Sequence, residues 1–277
     1  MPTLETYEGA YLWNYVPSLP LAATFAGIFT LATALHCVKL YKTRHWFTIP
    51  FLMGGFSEII GYVSRAASTY NTGNLATYLI QDIFLVIPPL GFAATLYATY
   101  SRIVRAIHGE AFSPVPIRWA TWIFVVGDLT CFSVQGNAAG LLGNPDLALT
   151  GDYIIIAGLI LQIIVFVFFI TCCVIFNKRM RVHMAKTGTV FNLPWQSWFT
   201  MLYMTSAATL IRNIYRVVEF VMQAIDQEGY LLTNEWPLYV FDAALMLFVM
   251  TSFYIWYPNT LRAQIRESMT ELRSNST

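Results

Sequence analysis

The stretch from Leu210 to Ala224 lies inside an apolar run, from about Ser197 to Ile225, yet it carries Arg212, Asn213, Arg216, Glu219 and Gln223. Arg212, Arg216, Glu219 and Gln223 fall at i, i+4, i+7 and i+11, which is one face of a helix. A charged side chain near a bilayer centre costs about 2.5–3.5 kcal/mol on insertion scales. Two arginines and a glutamate on one stripe must therefore face partners or water. The chemistry open to them is ion pairing, proton exchange or the binding of a polar head group.

Other apolar runs carry matching groups. Glu58, Tyr62 and Arg65 have the spacing i, i+4 and i+7. Gln81 and Asp82 are adjacent, Asp128 and Gln135 differ by seven with Asn137 just beyond, and Asp242 stands alone in the last run. These residues form the candidate substrate-binding set, with no catalytic residues expected. Five acids (Glu58, Asp82, Asp128, Glu219, Asp242) against three arginines leave a formal excess of two negative charges. That excess implies protonated carboxyls or a bound cation. The plainer alternative is an ion-pair network that only fixes helix packing.

The elements that must position them are membrane helices. Of 277 residues, 57% are hydrophobic and 11% charged, where soluble domains carry about 25% charged residues. The expected fold is an all-α bundle of seven transmembrane helices. Their limits are 17–40, 47–66, 76–100, 118–142, 152–176, 197–225 and 236–257, each near the ~20 residues that a bilayer needs. Residues 1–16 form an outer segment, 17–257 the membrane domain and 258–277 a cytoplasmic tail. The first 16 residues hold Glu5 and Glu8 and no basic region, so no cleavable signal peptide is expected.

Basic residues set the orientation. The loops after spans 1, 3 and 5 hold Lys39, Lys42 and Arg44, then Arg102, Arg105 and Arg118, then Lys178, Arg179, Arg181 and Lys186; the tail holds Arg262, Arg266 and Arg273. These are all but three of the 16 Lys and Arg, and the exceptions are Arg65, Arg212 and Arg216. The N-terminus is therefore expected outside and the C-terminus in the cytoplasm. By that count the polar set converges on the outer half of the bundle, with Asp128 near the midplane. It predicts a polar cavity open to the outside between helices 2, 3, 4, 6 and 7.

Smaller features fit around that plan. Glu5, Glu8, Asp146, Asp152, Asp226, Glu228 and Glu235 make the outer segments acidic. Tyr7, Tyr11, Trp13 and Tyr15 read as an interfacial belt or a lid over the pocket. Trp46, Trp119, Trp122, Trp195 and Trp198 read as inner-interface markers. Pro88-Pro89 in span 3 predicts a kink. Gly54, Gly55, Gly61, Gly136 and Gly140 read as sites of close helix approach. Cys37, Cys131, Cys172 and Cys173 read as small buried hydrophobes rather than disulfides or metal ligands. Asn275-Ser276-Thr277 matches a glycosylation acceptor on a tail that would not meet the transferase.

Several function classes are set aside. No GxxxxGK[ST] motif occurs, so ATP does not drive the protein directly. Only His36 lies in a span, near its inner end, with His45, His108 and His183 in loops, which leaves no histidine cluster for zinc. Lys39, Lys42, Lys178 and Lys186 sit at the cytoplasmic edge, away from any mid-membrane Schiff base. No cofactor, metal or nucleic-acid partner is expected.

The chain resembles the fungal RTA1-like proteins, the lipid-translocating exporter family, over nearly its whole length. The resemblance rests on Tyr15-Val-Pro-Ser18, Glu58-Ile-Ile-Gly-Tyr62-Val-Ser-Arg65, Ala93-Ala94 to Tyr97, and Ser101-Arg102-Ile103. It continues through Gly127-Asp128 to Gln135-Gly136, Arg212-Asn-Ile-Tyr-Arg216-Val-Val-Glu219-Phe220, and Glu235 followed by Tyr239-Val-Phe-Asp242. Asn137-Ala138 stands where members often carry a glycine pair, and Ile87-Pro88-Pro89 replaces a more usual Ala-Pro-Ala. The resemblance implies a fungal seven-helix protein linked to translocation of sphingoid long-chain bases, resistance to amphiphilic toxins, or porphyrin uptake. The expected function is transport or translocation of a lipid or amphiphile in the plasma membrane. The alternatives are a seven-helix receptor for such a molecule and an intramembrane lipid-modifying enzyme.

Overall fold

The computed structural model describes residues 4, 6–7, 10–11, 13, 15–139, 148–188, 194–225 and 230–257. Apart from a two-residue antiparallel pair, Thr6–Tyr7 with Ala10–Tyr11, the described residues form helices and their connections. The long helices are Leu19–Thr43 (α1), Ile49–Ser68 (α2), Leu75–Ala106 (α3), Ile117–Ala139 (α4), Ala148–Thr187 (α5), Trp195–Ile225 (α6) and Trp236–Ile255 (α7). Among the described residues six of them, α1 to α5 and α7, are long and apolar enough to cross a membrane. α6 is long enough at 31 residues, but Arg212, Asn213, Arg216 and Glu219 lower its hydropathy.

Local chemistry explains the boundaries. Pro20, Pro50 and Pro237 sit in the first turns of α1, α2 and α7, where a missing N–H costs nothing. The Asn74 side chain accepts from the Ala76 amide at 2.9 Å and starts α3. Arg44, at φ 56°, ends α1 by donating its amide to the Leu40 carbonyl. At 40 residues, α5 is about 60 Å long, twice a bilayer's hydrocarbon thickness. Its last turns carry Lys178, Arg179, Arg181 and Lys186 beyond the apolar part.

Consecutive helices pack side by side, α1 on α2, α2 on α3, and so on to α6 on α7. α7 returns to α1, and α3 touches α6 and α7 across the middle. The closest packing is between α2 and α3. A Cβ on Gly91 would lie 2.3 Å from the Pro50 carbonyl oxygen, and one on Gly54 would lie 2.8 Å from the Phe92 ring. Gly136 does not serve this purpose, because a Cβ there would meet nothing within 4 Å. Helix α3 runs unbroken through Pro88 and Pro89.

The bundle has two unlike ends. Away from the N-terminus the interior is aromatic: Tyr97, Phe124, Phe166 and Phe169 pack together, with Tyr100, Phe176 and Phe199 beyond them. Trp195 and Trp198, read as inner-interface markers, pack into this core at 3% and 4% exposure. Trp46, Trp119 and Trp122 are exposed. His36 is likewise buried, 3.0 Å from the Met250 carbonyl. Cys131, Cys172 and Cys173 are buried and unbridged. The end nearer Trp13 is polar and contains the candidate site. The outer acids Glu5, Glu8, Asp146, Asp226 and Glu228, the side chains of Tyr7, Tyr11 and Asp152, Gly140, and the tail with Asn275 lie outside the described residues.

Candidate functional site

Asp242 is the hub of the ionic stripe on α6. It sits in a π-helical turn, Tyr239–Ala243, within α7, a local widening that often marks functional positions. Arg212 Nε donates to Asp242 Oδ1 at 2.5 Å, and Arg216 Nη2 donates to Oδ2 at 2.9 Å. The second arm of Arg212, Nη2, donates to the Leu85 carbonyl of α3 at 2.6 Å. That carbonyl has no helical partner because Pro89, four residues on, lacks an N–H. Arg216 Nη1 reaches Glu219 Oε2 at 2.9 Å, and the Tyr215 hydroxyl donates to Glu219 Oε1 at 3.3 Å.

Glu58 lies behind this hub, 2% exposed, facing Asp242, Arg212 and Arg216. Among the described residues it has no hydrogen bond or ion pair. Tyr62, one turn on, stacks between Phe29 and Tyr239, and its hydroxyl is buried without a partner.

Arg65 forms a second hub. Its Nη2 donates to Glu235 Oε1 and to the Tyr15 hydroxyl, both at 2.8 Å. Its Nε reaches the Tyr239 hydroxyl at 3.2 Å, and Nη1 reaches Gln81 Oε1 at 3.4 Å. The Trp13 ring lies 5.5 Å from the guanidinium, within cation–π range. Glu235 also accepts from the Ser18 backbone amide at 3.0 Å, fastening the start of α1. Burial raises the Tyr15 phenol above its ordinary pKa, while Arg65 pulls it down. The N-terminal aromatic pair thus closes over the polar end.

Two adjoining cavities run through this region. The first, about 300 Å³, is lined by Trp13, Tyr15, Arg65, Tyr78, Gln81, Asp82, Arg216, Glu219 and Gln223, among others. The second, about 210 Å³, lies between α3, α4, α5 and α6 and is mostly apolar, with Gln135, Gln162 and Arg212 in its wall. Asp82, Arg216 and Phe220 line both. Among the described residues the half-buried Asp82 carboxylate takes part in no hydrogen bond or ion pair, and it faces the shared space with Arg216 in the same wall. Arg65, by contrast, bonds through all three of its nitrogens, and Arg212 through Nε and Nη2.

The sequence-derived set divides accordingly. Arg65, Gln81, Asp82, Gln135, Arg212, Arg216 and Glu219 line the cavities, and Glu58, Tyr62 and Asp242 lie buried against them. Two members go elsewhere. Asp128 accepts from the Tyr97 hydroxyl at 2.6 Å inside the aromatic half, and Asn137 is exposed, bonded back to the Ser133 carbonyl at 2.7 Å. Glu235, counted from sequence among the acids of the outer segments, takes the place of Asp128 in the network. The excess of two negative charges survives the exchange. The signal for Glu235 was its spacing: Glu235, Tyr239 and Asp242 repeat the i, i+4, i+7 pattern of Glu58, Tyr62 and Arg65. Among the described residues no group of three His, Cys, Asp or Glu has the arrangement to hold a metal ion.

A family model described as RTA1 like protein matches residues 51–264. The chain belongs to the RTA1-like family. With its long apolar helices, this RTA1-like chain is an integral membrane protein. It is similar to protoporphyrin uptake protein 1 of Saccharomyces cerevisiae, at 29% identity over 288 residues, covering 90% of this chain and 93% of that protein. It is 34% identical to protein RTM1 of Saccharomyces cerevisiae over 214 residues, covering 74% of this chain and 67% of the relative. It is 26% identical to sphingoid long-chain base transporter RSB1 of Saccharomyces cerevisiae over 296 residues, covering 93% and 76%. No solved structure matches. Two of these RTA1-like relatives thus carry the names of transport proteins.

Proposed function

We propose that this protein is a transporter or translocase of amphiphiles with a cationic head, of the sphingoid long-chain base type, in the plasma membrane. It uses seven membrane spans with the N-terminus outside, α6 being the span whose charges face inward. The segregation of Lys and Arg to alternate connections supports that orientation. The observation that carries the reading is Asp82, a carboxylate without a partner among the described residues, beside Glu219 in a cavity of about 300 Å³. An ammonium group placed there satisfies Asp82 and offsets the negative excess. The fixed arginines hold Glu219, Glu235 and Asp242 and repel a second cation. Among the described residues that line the larger cavity there is no Ser, Thr, Cys or His beside the carboxylates, which supports binding over conversion of the ligand.

The test is flux of a fluorescent sphingoid base into or out of proteoliposomes containing the full chain. Asp82→Asn abolishes flux at equal reconstitution, and Asp82→Glu retains part of it. Flux through Asp82→Asn at the wild-type rate refutes the proposal. A binding signal without any flux in wild type favours a receptor instead.

A further inference from the structure

The second cavity is placed and shaped to do something that the first cannot. Its walls are the apolar side chains of Ile83, Val86, Phe132, Ile155 and Leu159, and it meets the polar cavity at Asp82 and Phe220. Two of its lining residues are exposed at the surface: Ile83 on α3, at 51%, and Gly136 on α4. A side chain at Gly136 would project into open space. The exposed neighbours Leu79, Ile80 and Leu129 are apolar, and in an integral membrane protein such a surface faces hydrocarbon. On the inner side, Gly158 makes room for Gln135, whose Cγ would lie 2.8 Å from a Cβ there. The space therefore runs from the unbonded Asp82 carboxylate, along apolar walls, to the exposed surface at Ile83 of α3 and Gly136 of α4.

We infer that this chamber is an alkyl-chain slot with a lateral portal between α3 and α4, and that Gly136 sets the width of the portal. The ligand is a single-chain amphiphile that reaches Asp82 from the bilayer rather than from water, its tail lying past Phe132 and out beside Gly136. The inference rests on the reading of the polar cavity as the head-group site. An alkyl chain suits the slot because each methylene moved between hydrocarbon and an apolar wall stays out of water, while the head gains its counter-ion. A large side chain at Gly136 narrows the portal without a clash inside the bundle, so it acts on tail passage and not on folding.

The experiment uses the full chain in lipid nanodiscs with a long-chain primary amine bearing a diazirine at its tail end. After photolysis, mass spectrometry locates the adducts. Wild type gives adducts on the peptides containing Phe132 and Leu159. Gly136→Trp loses about tenfold or more of this capture, Ile83→Trp does so from the α3 side, and Leu129→Trp, exposed and outside the slot, retains it. Adducts spread evenly over lipid-facing positions such as Leu31 and Val167 in all four proteins overturn the slot; if amine flux still depends on Asp82, the head-group reading survives that result. Slot adducts undiminished in both Gly136→Trp and Ile83→Trp overturn the portal. Capture and flux both indifferent to Asp82→Asn overturn the head-group reading, and the slot with it.

Discussion

Arg212 donates to the carbonyl oxygen of Leu85 at 2.6 Å, the one acceptor in its turn of α3 that Pro89 leaves without an amide. The proline pair therefore creates a docking point for α6, and the guanidinium that fills it also grips Asp242 of α7. Three helices meet on one arginine.

Asp242 and Glu58 separate structure from function. Asp242→Asn leaves two buried arginines short of their counter-charge and costs about 3–5 kcal/mol of stability. Glu58→Gln removes a buried carboxyl that has no bonded partner among the described residues, so stability is unchanged or slightly raised. Thermal unfolding of the detergent-solubilised variants checks the order. A Glu58→Gln midpoint as low as that of Asp242→Asn contradicts it.

The N-terminal latch depends on Arg65. Arg65→Ala leaves the Glu235 carboxylate and Tyr15 hydroxyl short of a donor and frees Trp13, so protease cuts before Ser18 sooner than in wild type. Tyr15 adds a pH dependence. Its folded-state pKa lies above the unfolded value of about 10, so its contribution is full below that pH and fades as pH rises through the folded value. Proteolysis followed from pH 8 to 11 shows the latch loosening only at the alkaline end, and Tyr15→Phe removes that step.

Two glycines give opposite responses to one methyl group. Gly91→Ala drives a Cβ to 2.3 Å from the Pro50 backbone oxygen, which cannot swing away, and the α2–α3 contact loses about 1–3 kcal/mol. Gly136→Ala meets nothing and stays within about 0.5 kcal/mol of wild type. Unfolding midpoints decide it, and equal midpoints would mean that α2 and α3 are less closely packed than described.

Tyr97 and Asp128 form a pair apart from both cavities. Tyr97→Phe leaves a buried carboxyl with no donor and lowers stability by about 1–3 kcal/mol, while amphiphile flux per folded molecule persists. Loss of flux in a fully folded Tyr97→Phe protein would return Asp128 to the transport path.

Seven helical segments were readable in the sequence because apolar runs of that length have few other fates, and their limits agree with the described helices within a few residues, except at α3 and α5, which run on to Ala106 and Thr187. The stripe on α6 was readable because charge in hydrocarbon is too costly to be incidental. Which residues would meet was less so. Period and depth specify the face of each helix but not the neighbour it turns towards, so Asp128 was placed with the arginines and Glu235 with the outer segments. Packing reversed both: α4 turns Asp128 towards Tyr97, and the first turn of α7 brings Glu235 onto Arg65. The sequence by itself determined that buried charges exist and that they gather at one end. Only the tertiary structure decided which are cancelled, by the Leu85 carbonyl that Pro89 leaves free and by Asp242's two oxygens, and which remains unbonded at Asp82, because cancellation depends on distances between helices that no local pattern encodes.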